Sequence, residues 1–282
     1  MSAEASTRWR LLDTGPGDAF TNMAVDEAIL EACAAGAASP TLRFYGWSPP
    51  AISIGFGQQL GSAIDLDRCH ALGIDVVRRA TGGLAVLHDQ EVTYSVVVHE
   101  DDPRIASGIL ATYLTISRAL VRGLSYLDIK ADLLPLRRSS LPSDSESPVC
   151  FLTPSSYEVA VQGRKLVGSA QRRVQGVILQ HGSLPISLDM DTLFSVFSVQ
   201  PRMRRNGPST GVEGEAHLHM TCLQEAGGRP YAYAEVVAAL SRGFAEVWGA
   251  RLTPGGLTPE EQQASTRLRL SKYGADSWLW RR

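Results

Sequence analysis

Cysteine is scarce and scattered in this chain. The four residues, Cys33, Cys69, Cys150 and Cys222, form no C-x-x-C pair. That argues against a zinc site and against a disulfide framework. No apolar run approaches the ~18 residues a membrane span needs, so no membrane partner is expected. Residues 1–7 carry no apolar core of a secretory signal, and a cytoplasmic location is expected. Charge of one sign is not in excess. The net charge is −2, which gives nucleic-acid binding no compositional support. No glycine pattern has the spacing of a P-loop or a dinucleotide fingerprint, and no cofactor is expected. Internal repeats and long linkers are missing too, so residues 1–282 read as a single domain.

What is present is an alternation of short strands and helices. Strands are predicted at 9–13, 41–47, 51–54, 74–79, 84–87 and 92–99 from their β-branched and aromatic content. Two more follow at 164–172 and 177–183, set off by turns at Gln162-Gly163 and Gln175-Gly176. Helices are predicted at 23–35, with Asp18 or Asn22 as its cap, at 66–72 and at 109–127. Residues 137–148 are polar and rich in Ser and Pro, and read as a loop. From residue 190 the chain turns mainly helical, with helices at 190–197, 221–226 and 234–248. A last helix opens at the capping box Thr258-Pro259-Glu260-Glu261 and runs to about residue 273. The fold class is α+β, a single domain with a mixed, mostly antiparallel β-sheet flanked by helices and a helical C-terminal part.

Several stretches carry chemistry-bearing residues. Arg78-Arg79-Ala80-Thr81-Gly82-Gly83 follows a strand, and its glycines permit close backbone approach. It is either a tight turn or, with two arginines beside it, a site for an anionic or carbonyl ligand. His88-Asp89 with Glu91 suggests a base and its orienter. Adjacent strand positions face opposite ways, however, so a structural role for the pair is the better reading. Lys165 lies just before Gly168, Ser169 and Ala170, where a strand without bulk lets a ligand approach the backbone. Alone it would read as a surface lysine on an edge strand. Cys150 follows the Ser/Pro-rich loop and lies between elements, where reactive groups tend to sit. The other cysteines fit as small buried hydrophobes. Glu213, Glu215, His217, His219 and Cys222 have no recognised metal spacing, and no metal is expected.

As an ordered set these segments resemble the lipoate–protein ligase and octanoyltransferase superfamily. The residues that carry the resemblance are Asn22-Met23-Ala24-Val25-Asp26-Glu27, the Arg78–Gly83 stretch and His88-Asp89 with Glu91-Val92-Thr93-Tyr94. Gly163-Arg164-Lys165-Leu166-Val167-Gly168-Ser169-Ala170-Gln171 and Leu179-Gln180-His181-Gly182-Ser183 complete it. It spans about residues 9–188. It implies a biotinyl/lipoyl protein ligase-like fold. Leu84 stands where many ligases of the superfamily have a third glycine, which disfavours ligase chemistry. Cys150, ahead of Pro154-Ser155-Ser156-Tyr157-Glu158, matches the nucleophile of one octanoyltransferase branch.

The resemblance therefore implies transfer of octanoyl from octanoyl-acyl carrier protein to the target lysine of a lipoyl domain or of the glycine cleavage H protein. A cysteine thioester would be the intermediate. Cys150 would be the nucleophile and Lys165 its partner. Arg78, Arg79, Thr81, Gly82, Gly83, His88, Tyr94, Gly168, Ser169 and Ala170 would bind the substrate. The approach surface for an acidic carrier would come from Arg78/Arg79, Arg137/Arg138, Arg172/Arg173 or Arg202/Arg204/Arg205. Three alternatives remain open: an ATP-dependent lipoate–protein ligase, an amidotransferase that takes octanoyl from the glycine cleavage H protein, and a non-catalytic acyl-binding protein.

Overall fold

The computed structural model describes residues 8–61, 64–134, 158–197 and 219–281. Its strands in chain order are β1 (Arg8–Gly17), β2 (Thr41–Trp47), β3 (Ala51–Ile54), β4 (Asp75–Arg78), β5 (Val86–His88) and β6 (Glu91–His99). They continue with β7 (Asp132–Leu133), β8 (Val159–Val161), β9 (Arg164–Lys165), β10 (Gly168–Val174), β11 (Val177–Pro185) and β12 (Arg251–Pro254). The helices are α1 (Ala19–Ala34), α2 (Leu66–Ala71), α3 (Ile109–Ser125), α4 (Met190–Val196), α5 (Leu223–Gly227), α6 (Tyr233–Trp248), α7 (Pro259–Leu268) and α8 (Asp276–Leu279). No helix among the described residues is long and apolar enough to cross a membrane.

The main sheet has the order β10-β11-β6-β2-β1-β12. Its first four strands pair antiparallel, while β1 lies parallel to both β2 and β12. The α+β class and the mixed sheet agree with the sequence. The strands nevertheless divide among three sheets, the others being β4-β3-β5 and β7-β8-β9. A strand pattern shows that a segment is extended, but partner choice is set by packing on each face. β12 went unforeseen because it is short, mostly exposed and ends in Pro254.

Period-two alternation gives the central strands two unlike faces. Leu42 and Phe44 of β2, with Val92, Tyr94, Val96 and Val98 of β6, join one apolar core with α3 and α6. These two helices cross at Gly123 and Gly243, so closely that a Cβ on Gly243 would overlap the Gly123 backbone. The alternate residues are polar: Arg43, Glu91, Thr93, Ser95, His181 and Ser183 are all buried. Burying so many polar groups is costly unless each finds a partner. The functional site is built on this face, with α1 packed on it and the β4-β3-β5 sheet beside it.

α1 begins at an Asp18 cap whose side chain accepts from the Thr21 amide, four residues before the expected start. α7 has the expected capping box between Thr258 and Glu261. Glu261 also holds Arg10 of β1 through two hydrogen bonds of 2.7 and 2.6 Å, which fastens α7 to the main sheet. The turns at Gln162-Gly163 and Gln175-Gly176 have positive φ at both positions, the geometry of two-residue hairpins.

Candidate functional site

Apart from Ser95, whose buried hydroxyl has no hydrogen-bond partner among the described residues, the buried polar face resolves into two networks. The first centres on Asp26 of α1. Arg43 Nη1 donates to its Oδ1 at 2.7 Å, and Tyr45 Oη donates to Oδ2 at 3.0 Å. His181 Nδ1 lies 3.1 Å from the same Oδ2, and its Nε2 lies 2.6 Å from Thr81 Oγ1. Burial opposes the Asp26 charge, but Arg43 and then His181 outweigh it, and the carboxyl titrates below its usual range. Burial also lowers the His181 pKa despite Asp26, which favours a neutral ring.

The second network centres on Glu91 at the start of β6. His88 Nδ1 lies 3.1 Å from Glu91 Oε2, three residues away across a tight turn. Ser183 Oγ donates to the same oxygen at 2.6 Å, and Thr93 donates to Oε1. Burial works against the Glu91 charge; His88, Ser183 and Thr93 together hold its carboxyl below the usual range. The other ring nitrogen of His88 meets Ser53 Oγ at 2.8 Å. Trp47 stacks on the imidazole at 4.0 Å, fixing its plane.

Between these networks lies a cleft of ≈ 420 Å³, counted with its open mouth. Trp47, Ser53, Val86, His88, Thr93 and His181 contribute to its walls. Gly83, Gly168, Ser169, Ala170 and Gly182 line it as well, with little or no side chain. Space beside a glycine-rich wall suits a slender apolar group that runs along the backbone.

Of the residues predicted from sequence, Arg79, Gly83, His88, Gly168, Ser169 and Ala170 border this cleft. Arg79 is occupied as a brace, donating to the carbonyls of Ser53, Gly82 and Leu84. Thr81 touches the site only through His181. Gly82 supplies that carbonyl to Arg79 and does not line the cleft. Tyr94 points into the apolar core, where its hydroxyl meets Ser169 Oγ at 2.7 Å and accepts from Gln180 at 3.1 Å. Burial pushes its pKa up to about 12.

Arg78 is placed apart from the cleft. Its guanidinium donates to the carbonyls of Gly55, Phe56 and Gln58 and to those of Trp278 and Leu279. It thereby clamps the C-terminal segment onto the β4-β3-β5 sheet. Lys165 is buried on β9, with Nζ 2.5 Å from Glu158 Oε1. Cys150 lies outside the described residues, as do Arg137/Arg138, Arg202/Arg204/Arg205, Glu213, Glu215 and His217. Cys33, Cys69 and Cys222 are buried. Burial raises the Cys33 and Cys69 thiols to about 11 and Cys222 in the same direction. Among the described residues no group of three or more His, Cys, Asp or Glu side chains could hold a metal ion.

Asp89 does not pair with His88; it borders a second hollow with Asp189, Leu193 and Met220. The residue that does pair is Glu91. Asp26, Arg43, Ser53 and Trp47 carry the site without having been singled out for it. One signal could have found the pair that Arg43 of β2 makes with Asp26 of α1. Arg43 interrupts a run of apolar strand residues, and a buried arginine requires a carboxylate.

Three comparisons bear on this arrangement. The family described as the lipoyl protein ligase A/B catalytic domain matches residues 18–245. An "Octanoyltransferase LipM" from Kyrpidia tusciae is 46% identical over 97% of this chain and 99% of its own length. A protein of the same name from Moorella thermoacetica is 44% identical over 97% and 98%. Among solved structures, a bipartite lipoate protein ligase of Thermoplasma acidophilum, described with its E2 lipoyl domain, superimposes with a TM-score of 0.78. It is 25% identical, covering 97% of this chain and 96% of that one.

Proposed function

The chain belongs to the lipoyl protein ligase A/B catalytic-domain family, and from that premise we propose that it is an octanoyltransferase of lipoate biosynthesis acting in the cytoplasm. The observation that carries this reading is the near full-length identity of 46% to an octanoyltransferase. The donor is octanoyl-acyl carrier protein. The acceptor is the target lysine of a lipoyl domain or of the glycine cleavage H protein.

The chemistry divides into two exchanges. Cys150 gives up its proton and the thiolate attacks the donor thioester carbonyl; the carrier's sulfur is expelled as thiolate and takes up that proton. The neutral amine of the acceptor lysine then attacks the octanoyl-Cys150 thioester. Cys150 is expelled as thiolate, an amide forms and the ammonium proton is released. The first exchange is nearly isoenergetic and the second runs downhill, so no nucleotide is required.

The cleft supports the first requirement, a place for the acyl tail. At about 0.8 kcal/mol per methylene, burying the tail contributes roughly 5 kcal/mol. Amides near Gly168, Ser169 and Ala170 are candidate donors to the developing oxyanion. Lys165 is the candidate partner of Cys150. Glu158 shares its charge, so the field it exerts on a thiolate is weaker than that of a lone ammonium. Its larger contribution is then a hydrogen bond from a fixed position. The ordered His88 and His181 rings shape the cleft and help exclude water.

The test is intact-mass spectrometry after mixing the protein with octanoyl-acyl carrier protein in the absence of ATP. An octanoyl adduct that discharges onto a lipoyl domain is expected. Acyl transfer strictly dependent on ATP and Mg²⁺, with no adduct, would instead support the ligase chemistry of the Thermoplasma neighbour. An adduct formed only from octanoylated H protein would identify an amidotransferase.

A further inference from the structure

Most arginines near the cleft are committed to the fold. Arg43 serves Asp26, Arg79 its own turn, and Arg173 reaches Glu100 and Thr112. Arg172 and Arg281 are different. Both guanidinium groups approach the ring of Phe56, at 5.7 and 4.1 Å from its centroid. Arg281 also lies 4.9 Å from the Trp278 ring, and Lys272 Nζ lies 4.1 Å from it. Phe56 is 36% exposed although its ring meets the Trp278 ring edge-on at 5.8 Å.

Cations outnumber carboxylates at this place, although the whole chain is slightly acidic. Glu27 is the carboxylate closest to hand, and Lys272 already holds it at 2.7 and 2.6 Å. Tyr273 donates to it at 2.7 Å. Arg172 pairs with it too, but more loosely, at 3.7 Å. Arg281 has no carboxylate within ion-pair distance among the described residues. Beneath them Arg78 adds a buried cation compensated only by carbonyls, and it feels the charge of Arg281.

This cluster sits just outside the cleft, next to residues that line it. Arg172 lies two residues beyond Ala170 on β10 and therefore on the same face of that strand. Phe56 follows Gly55, whose Cα abuts the Gly82–Gly83 backbone at the cleft edge. A cationic rim with an exposed ring suits an anionic protein surface whose arm enters beside it. Of the two substrates, the donor fits that chemistry. Its thioester hangs from an acidic carrier by a phosphodiester-linked arm, which adds negative charge near the mouth. The acceptor brings a lysine ammonium, which the same rim repels.

Resting on the octanoyltransferase reading above, we propose that Arg172, Arg281 and Phe56, backed by Lys272 and Trp278, form the docking surface for the acidic acyl carrier protein that delivers the octanoyl thioester. None of the five borders the cleft, so the surface sets encounter and affinity and leaves the chemical step alone.

The test compares the wild type with Arg172→Glu, Arg281→Glu, the double variant and Phe56→Ala. Binding of fluorescently labelled octanoyl-acyl carrier protein is followed by anisotropy at two salt concentrations. Turnover is measured with that donor and with octanoyl-N-acetylcysteamine, which has neither carrier nor phosphate. The double variant is expected to raise Kd and KM for the carrier-borne donor by about tenfold or more, and to flatten the salt dependence. Turnover from the small thioester should match wild type, which also shows that the variants are folded. KM for the lipoyl domain should not change. Unchanged affinity for the carrier overturns the proposal. So does a KM rise confined to the lipoyl domain, or an equal loss with both donors. The octanoyltransferase reading fails separately, if the wild type binds the carrier yet transfers octanoyl from neither donor.

Discussion

The ammonium of Lys165 and the carboxylate of Glu158 stand 2.5 Å apart, with side-chain exposures of only 2% and 7%. A buried ion pair costs desolvation on both sides, and removing one member leaves the other in a poor environment. Lys165→Ala is therefore expected to lose transfer by about 10²-fold or more and also to lose roughly 3–5 kcal/mol of stability. The double variant Lys165→Met with Glu158→Gln separates the two effects. It should recover most of the melting temperature and none of the activity. Recovery of both would make Lys165 a purely structural residue.

Cys150 is the residue on which the covalent route depends. Without an acceptor, the enzyme should hold a hydroxylamine-labile octanoyl group. Peptide mapping should place it at Cys150 and not at Cys33, Cys69 or Cys222, which are buried with thiols shifted upward. Burial withholds the thiolate, which is the reactive form. Cys150→Ser should fold but form no thioester, because a hydroxyl without a dedicated base is a weak nucleophile at neutral pH. Wild-type transfer by that variant would defeat the covalent mechanism.

The legible and illegible parts of the chain differ in a physical way. Local rules were readable where a residue type has one use. The Thr258–Glu261 capping box and the two glutamine–glycine turns are such cases, and both formed. The glycine-rich walls of the cleft were readable for the same reason. The polar partners were not. Asp26 meets His181 across 155 positions of sequence. That pairing follows from α1 packing on the sheet, which no local pattern encodes. Arg78 and Arg79 look equivalent as letters, yet adjacent positions on a strand face opposite ways. One braces the cleft edge and the other clamps the C-terminal segment.

Gly55 offers a test of the cleft edge. A Cβ there would overlap the Gly83 carbonyl oxygen, and backbone cannot swing aside as a flexible side chain can. Gly55→Ala should displace the turn that presents Gly83 and Arg79. The expected cost is about 1–3 kcal/mol, together with a lower kcat/KM. Gly57→Ala is the matched control, since nothing lies within 4 Å of its added Cβ. Surface changes of that kind stay within about 0.5 kcal/mol. Equal melting temperatures for the two variants would refute the close approach.

The paired networks also predict how stability depends on pH. The His181 pKa in the folded protein lies below its ordinary value of 6.5, burial being the main cause. The unfolded chain then binds more protons than the folded one between those two values, so lowering the pH through that window favours unfolding. The Asp26 and Glu91 carboxyls are also depressed, from ordinary values of 3.8 and 4.5. Their contribution is complete above those values and is lost as pH falls through the folded ones. All three groups act in the same direction, but in separate windows. The melting temperature should therefore decline first below about pH 6.5, and again, more steeply, below about pH 4.5. His181→Asn carries no titrating ring and should abolish the first decline while keeping the second. Parallel profiles for wild type and variant between pH 5 and 7, measured by differential scanning fluorimetry, would show that His181 is not the group that titrates there.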